Sequence, residues 1–315
     1  MNLHFDKEIF EELIVGASNE LAIPGNVIEK DYYVTITLKS LSEKLEDMVF
    51  KGGTSLTKCY GLLERFSEDI DLSYTAEAGM PGDARKKKLK RAIVKTMDEF
   101  GFTVTNLDAT RSRRHYNCYR VTYPSMYERS NILKPELVVE TYVALLPFPT
   151  TKRMVDNYIY RFLNKINRLD LAETYNLMPF EITTQTIERT LADKVFALCD
   201  YYMQGEVERH SRHLYDIYKI VSSIGITEEL VRLIPAVRAV RSELTICPSA
   251  KADVCVTDIL KEIVENGVYR DDYNNITLGL LFVPETYDTV IQSIKQLADS
   301  GIFGAPAQNM YKIRK

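Results

Sequence analysis

The sequence predicts an α+β protein: a domain of mixed sheet and helix over residues 1–150, opened by two helices, then a mainly helical part over 151–315. Three observations predict it. Short strand-like runs closed by turn residues ("MVFKGG", "DIDLSY", "YNCYRVTYP", "ELVVETYVAL") crowd into the first 150 positions. From about Thr183 onward, apolar residues recur at helical spacing instead. The length, 315 residues, suits about two domains.

The elements follow in order. "DKEIFEELIVGASNELAI" is amphipathic and stops at Pro24, and "GNVIEKDYYVTITLKSLSEKL" forms the second helix. "MVFKGG" is a short strand running into a turn, "TSLTKCYGLL" a short helix with Thr54 or Ser55 at its start, and "DIDLSY" a second strand. After the loop "EAGMPGD", Asp83 caps a basic helix that ends near Gly101. Strand-like "FTVTNLDA", "YNCYRVTYP" and "ELVVETYVAL" come next, and helices after "LLPFPTTK".

Composition narrows the class. Hydrophobic residues at 45% and charged residues at 27% describe an ordinary soluble protein. No apolar run approaches the roughly 18 residues of a membrane span, and the start "MNLHFDKEIF" lacks an apolar signal core, so the expected compartment is the cytoplasm, with no membrane contact. Five cysteines, at 59, 118, 199, 247 and 255, have no zinc-ligand spacing and read as reduced structural thiols. With four histidines, a histidine-built metal site is not expected. The net charge of -4 does not advertise nucleic-acid binding, yet "DARKKKLKRAIVK" and "RSRRH" are locally basic.

The chemistry concentrates in "KGGTSLTKCYGLLERFSEDIDLSY", residues 51–74. In a strand, Asp69 and Asp71 project side by side. Carboxylates that close repel unless a cation lies between them. Aspartate also disfavours strands, so two in one strand ask for a reason, against the ordinary alternative of two solvated acids. Magnesium supplies that reason, because it prefers carboxylate oxygens and shares its coordination with substrate phosphates. Gly52 and Gly53 let backbone N–H groups approach an anion, and the helix beginning at Thr54 or Ser55 turns its positive end toward a phosphate. A plain tight turn is the alternative reading of the glycines.

A strand, Gly-Gly, a helix and Asp-x-Asp on the next strand resemble the signature of the DNA polymerase β-like nucleotidyltransferase superfamily. More closely, "GGTSL", "RFSEDIDL" and the upstream "EKDYYV" resemble the AbiEii-type nucleotidyltransferase toxins of bacterial abortive-infection and toxin–antitoxin systems. The spacing departs a little from compact superfamily members: positions 54–68 separate Gly53 from Asp69. The resemblance implies a polymerase β-like nucleotidyltransferase domain with a mixed sheet. It also implies a growth-blocking enzyme that moves a nucleotide from a nucleoside triphosphate to RNA such as tRNA, or to protein. A separately encoded antitoxin would hold it in check.

Two-metal phosphoryl transfer asks for a third carboxylate on a neighbouring strand. Glu136 and Glu140 share one face of "ELVVETYVAL". Glu140 interrupts the apolar run, where an acid is costly without a partner, and is the preferred candidate. A salt-bridged strand carboxylate is its alternative. In the helical part, Lys194 lies beside the apolar stripe of "TIERTLADKVFALCDYY". It either snorkels to water or reaches the triphosphate. Asp216 in "SRHLYDIYKI" either orients Lys194 or a substrate hydroxyl, or pairs locally with Arg212 or Lys219. The match of "LADKVFAL" and "RHLYDIY" to later motifs of AbiEii-type proteins favours the functional reading of both. Lys30 and Asp31 are left outside the site. The basic helix from Arg85 to Lys95, with Arg111, Arg113 and Arg114, supplies the expected phosphate contacts if the acceptor is RNA.

The expected function is therefore a metal-dependent nucleotidyltransferase. Asp69, Asp71 and Glu140 hold two magnesium ions, Gly52, Gly53, Thr54 and Ser55 hold the phosphates, and Lys194 and Asp216 come from the helical part. A non-catalytic nucleotide-binding or interaction protein of the same fold is the alternative. A nuclease fits less well, having no need of the Gly-Gly-Thr-Ser turn.

Overall fold

The computed structural model describes residues 1–65, 69–74, 82–111, 116–127, 135–143 and 147–304. Contacts divide the chain into two compact units, Met1–Cys59 with Glu68–Thr184, and Tyr60–Ser67 with Gln185–Lys315.

The first unit carries α1 (Lys7–Leu21), α2 (Gly25–Lys44), β1 (Met48–Lys51), α3 (Gly52–Lys58), β2 (Asp69–Tyr74), α4 (Gly82–Glu99), β3 (Thr103–Val104), β4 (Tyr116–Thr122), β5 (Glu136–Tyr142), β6 (Thr150–Val155), α5 (Tyr158–Lys165), α6 (Leu169–Thr174) and β7 (Phe180–Gln185). Among the described residues, seven strands form one sheet in the order β3-β4-β5-β2-β1-β7-β6. The sheet is mixed: β2 runs antiparallel to β1 and parallel to β5, while β7 runs parallel to β1. Alternation sorts the side chains by face. Ile70, Leu72, Leu137, Val139, Tyr119 and Val121 are buried in the core that the helices close, whereas Asp69, Asp71 and Glu140 are only partly covered.

Two strands, β6 and β7, have no counterpart in the sequence expectation. β7 extends the sheet of the first unit: Thr184 lies opposite Phe50 and donates its hydroxyl to the Phe50 carbonyl at 2.8 Å. The long strand expected over "FTVTNLDA" shrinks to Thr103–Val104, followed by a 3-10 turn at Leu107–Ala109. The Asn106 side chain ends it by accepting from the Arg120 N–H (2.9 Å) and donating to the Cys118 carbonyl (2.8 Å), in place of backbone ladder partners.

The motif "EKDYYV" lies on α2 and braces the unit. Glu29 accepts from the Ser125 hydroxyl (2.6 Å) and the Met126 N–H (2.8 Å). Asp31 accepts from the Tyr158 N–H (3.0 Å) and forms an ion pair with Lys58, whose ammonium also donates to Thr35 (2.8 Å) and to the Asp156 carbonyl (3.0 Å). The basic helix α4 buries Leu89, Ile93 and Met97, and its Lys87, Lys90, Arg91 and Lys95 line a surface cavity of about 570 Å³. Arg111 is exposed. Arg113, Arg114, positions 66–68 of the "ERFSE" loop and most of "EAGMPGD" lie outside the described residues.

The second unit is helical: α7 (Ile187–Gln204), α8 (Arg212–Ile224), α9 (Glu228–Ser242), α10 (Val256–Asn266), the short α11 (Arg270–Asp272) and α12 (Tyr287–Ser300). The Thr186 side chain caps α7 and Gly205, at φ +72°, ends it. α7 packs on α8 and α9, and α12 on α8 and α10. Tyr60–Arg65 belongs to this unit: Tyr60 donates to the Gln185 carbonyl (2.8 Å), and the Glu64 carbonyl accepts from the Phe282 N–H (2.7 Å). No helix among the described residues is long and apolar enough to cross a membrane, and none of the five cysteines forms a disulfide.

His4 gives the first unit a pH dependence. Its ring is buried among Tyr32, Tyr33, Phe100 and Phe102; Nε2 lies 3.2 Å from the Phe100 carbonyl and Nδ1 2.8 Å from the Tyr32 hydroxyl. Burial lowers its pKa from 6.5 to about 4, the Phe100 carbonyl opposing. The unfolded chain therefore binds the proton more readily. This contribution to stability is complete above pH 6.5 and is lost as the pH falls toward 4. The melting temperature of the parent is expected to drop more between pH 7.5 and pH 5 than that of His4→Gln, and equal drops would contradict this assignment.

Candidate active site

The candidate residues form two sets, one on the sheet and one in the helical unit. On the sheet, register decides which carboxylates meet. In the β1–β2–β5–β4 row, Lys51 stands opposite Asp71, Asp71 opposite Glu140 and Glu140 opposite Cys118. Asp69, two residues before Asp71, shares its face. Glu136 is four residues before Glu140, about 13 Å away along the strand. It lies opposite Thr122 and pairs with Arg120 at 3.4 Å. Pairing thus separates the two glutamates: Glu140 lies in the row of Asp71, and Glu136 does not.

The turn meets the same row. Gly52 has φ +77°, a left-handed conformation that favours glycine. A Cβ placed there would lie 1.9 Å from Asp71 Oδ2. The bare Cα of Gly52 therefore makes room for the Asp71 carboxylate. The two hydroxyls that follow face inward: Thr54 Oγ1 donates to the Asp69 carbonyl (2.5 Å) and Ser55 Oγ to the Gly52 carbonyl (2.8 Å). They tie α3 to the start of β2 and close the turn on itself. Lys58 is engaged by Asp31, whereas Lys51 lies on the acidic row, its Nζ 5.4 Å from the centre of the Tyr142 ring.

The donor set suits a hard divalent cation: carboxylate oxygens from neighbouring strands on one sheet face, with a glycine clearing space beside one of them. Among the described residues, no three His, Cys, Asp or Glu side chains are grouped closely enough to hold a metal. Glu140 instead accepts a hydrogen bond from the Tyr116 hydroxyl at 2.8 Å. Burial and the Glu140 carboxylate push the Tyr116 phenol above its usual range.

In the helical unit, Lys194 on α7 and Asp216 on α8 come together. Asp216 is fully buried and accepts from Lys194 Nζ (2.5 Å), Arg65 Nε (2.6 Å) and Arg65 Nη2 (2.8 Å). Burial alone would raise the Asp216 pKa, but Arg65 and Lys194 outweigh it and hold the carboxyl well below the carboxylate range. Burial pulls the Lys194 ammonium below its usual range, Asp216 opposing and Arg65 adding to the shift. Neither pairing considered for Asp216 from the sequence, with Arg212 or with Lys219, is its main one; Lys219 pairs with Glu64 at 2.7 Å. Its principal partner is Arg65, 151 residues away, in the short segment that joins the helical unit. Sequence reasoning missed Arg65 and Tyr116. Arg65 stands at the head of "RFSEDIDL", and Tyr116 shares the alternation of "YNCYRVT"; neither pattern names a partner for the residue.

A mixed sheet bearing adjacent acidic strands, followed by a helical unit, is the architecture expected of a nucleotidyltransferase domain with a helical part. The family model described as nucleotidyl transferase AbiEii toxin, Type IV TA system, matches residues 37–295, and the chain belongs to that family. Membership implies a nucleotidyltransferase toxin of a toxin–antitoxin system, and with it an antitoxin partner. No curated protein matches the sequence closely enough to count as a relative.

Two outcomes follow from this geometry. Gly52→Ala combines a strained φ, worth about 1–2 kcal/mol, with displacement of Asp71. It is expected to lower the melting temperature and to cut nucleotide transfer at least about tenfold. In the helical unit, Asp216→Ala takes the shared carboxylate from two buried basic side chains and should cost about 3–5 kcal/mol in urea unfolding. Lys194→Met leaves the Arg65–Asp216 pair intact and should cost much less. Equal losses would refute a shared carboxylate.

Proposed function

We propose that this chain transfers a nucleoside monophosphate from a nucleoside triphosphate to an acceptor hydroxyl, with release of pyrophosphate, as an AbiEii-family toxin. The observation that carries the reading is the register that sets Asp71 opposite Glu140 while Gly52 clears space at the Asp71 carboxylate. Asp69, Asp71 and Glu140 are the residues that would hold magnesium, two ions in the full two-metal arrangement. Bound there, the metal would polarise phosphate oxygens and lower the pKa of the attacking hydroxyl. The Gly52–Ser55 turn adjoins Asp71 and is the segment we assign to the substrate phosphates. Lys51, beside the acids, adds a positive charge to that face. In the helical unit, Lys194 is the cation we assign to an anionic substrate group. With Arg65 and Asp216 it forms a buried trio in which both basic side chains bond one carboxylate. Asp216 fixes the position of Lys194 and opposes the loss of its charge on burial.

RNA such as tRNA is the favoured acceptor and protein the other candidate; the basic surface of α4 supports the first. The decisive experiment incubates the purified protein with magnesium, each labelled nucleoside triphosphate in turn, and total RNA containing tRNA. Labelled RNA or labelled protein together with released pyrophosphate is the expected result, abolished by EDTA. Asp71→Asn is expected to reduce it at least about 100-fold. Metal-dependent nucleotide binding without transfer to any acceptor would make the chain a non-catalytic binder, and shortened RNA without pyrophosphate would make it a nuclease. In cells, Asp69→Ala/Asp71→Ala should relieve growth arrest; arrest as strong as the parent's would sink the mechanism.

A further inference from the structure

Glu140 is opposite Asp71, yet its carboxylate is bound on the other side. In the sheet order, β5 has β2 on one flank and β4 on the other. Asp71 belongs to β2 and Tyr116 to β4. The Tyr116 hydroxyl donates to Glu140 Oε1 at 2.8 Å, so one oxygen of the third carboxylate is engaged from the β4 side, the flank opposite Asp71. Tyr116 is itself steadied from the same face: its ring meets that of Tyr142 edge-on, centroids 6.3 Å apart at 61°, and Lys51 lies over Tyr142. Like charges directly opposite on neighbouring strands destabilise a sheet. A phenol that bonds one of them eases that repulsion, alongside the charge of Lys51 opposite Asp71.

We propose that Tyr116 is a positioning residue that parks Glu140 away from Asp69 and Asp71, so that a divalent cation must break the Tyr116–Glu140 hydrogen bond to complete its ligand set. The parking rests on the reading of these acids as cation-holding. It makes cation binding weaker than the carboxylates alone would allow, by the cost of one hydrogen bond to a charged group. That corresponds to about tenfold in affinity.

The test is Mn2+ titration calorimetry on the full chain, without nucleotide, so that it does not depend on activity. Parent, Tyr116→Phe, Glu140→Gln, the double variant and Asp71→Asn are compared, with circular dichroism to confirm folding. Tyr116→Phe is expected to bind Mn2+ about tenfold more tightly than the parent and to gain more in melting temperature when Mn2+ is added. In the Glu140→Gln background, loss of the hydroxyl is expected to change nothing. Unchanged or weaker binding by Tyr116→Phe overturns the parking role, as does an equal gain in the Glu140→Gln background. Binding by Asp71→Asn equal to the parent's overturns the reading of the acids as well. Tyr116 is partly exposed at the start of β4. Tyr116→Met, which also lacks the hydroxyl, repeats the comparison if the phenylalanine variant does not fold.

Discussion

The packing of Gly52 against Asp71 is the constraint on which the candidate site depends. It requires β1 and β2 to pair so that Lys51 faces Asp71, and it requires a residue without a side chain immediately after Lys51. With that pairing fixed, the parallel partnership of β2 and β5 places Glu140, and no other acid of β5, in the same row. A slip of one residue would turn Asp69 and Asp71 into the core and bring Ile70 and Leu72 out. The buried set on the opposite face therefore opposes any such slip.

The helical unit solves a different electrostatic problem. A carboxylate with no exposed surface is tolerated only when its charge is matched and its lone pairs are filled. Arg65 does both with a two-pronged contact, and Lys194 adds a third hydrogen bond to the same carboxylate.

Much of this was legible in the chain. Alternation identified β2 and β5 and set Asp69 with Asp71, because the period of a strand is a local property. The partnership of β5 with β2 was not legible, since nothing in either strand states its neighbour, and so Glu136 and Glu140 remained alternatives until pairing separated them. β6 escaped notice because "TTKRMV" is an edge strand and mostly solvent-facing, which leaves no apolar pattern. The sequence sets Thr54 and Ser55 beside the glycines at the phosphates; that their hydroxyls also hold the turn to itself and to β2 is a use that only three-dimensional neighbours reveal. Arg65 was hidden by its distance from Asp216 along the chain.

That distance bears on how the protein comes into being. Arg65 leaves the ribosome 151 residues before Asp216 does. Until then the segment Tyr60–Arg65 has no acid of α8 to bind, and the helical unit cannot form from a contiguous stretch of polypeptide. A nascent chain that already carries the whole acidic row still lacks the trio around Lys194. The trio closes only once α8 has been made, after every strand of the sheet is already in the chain.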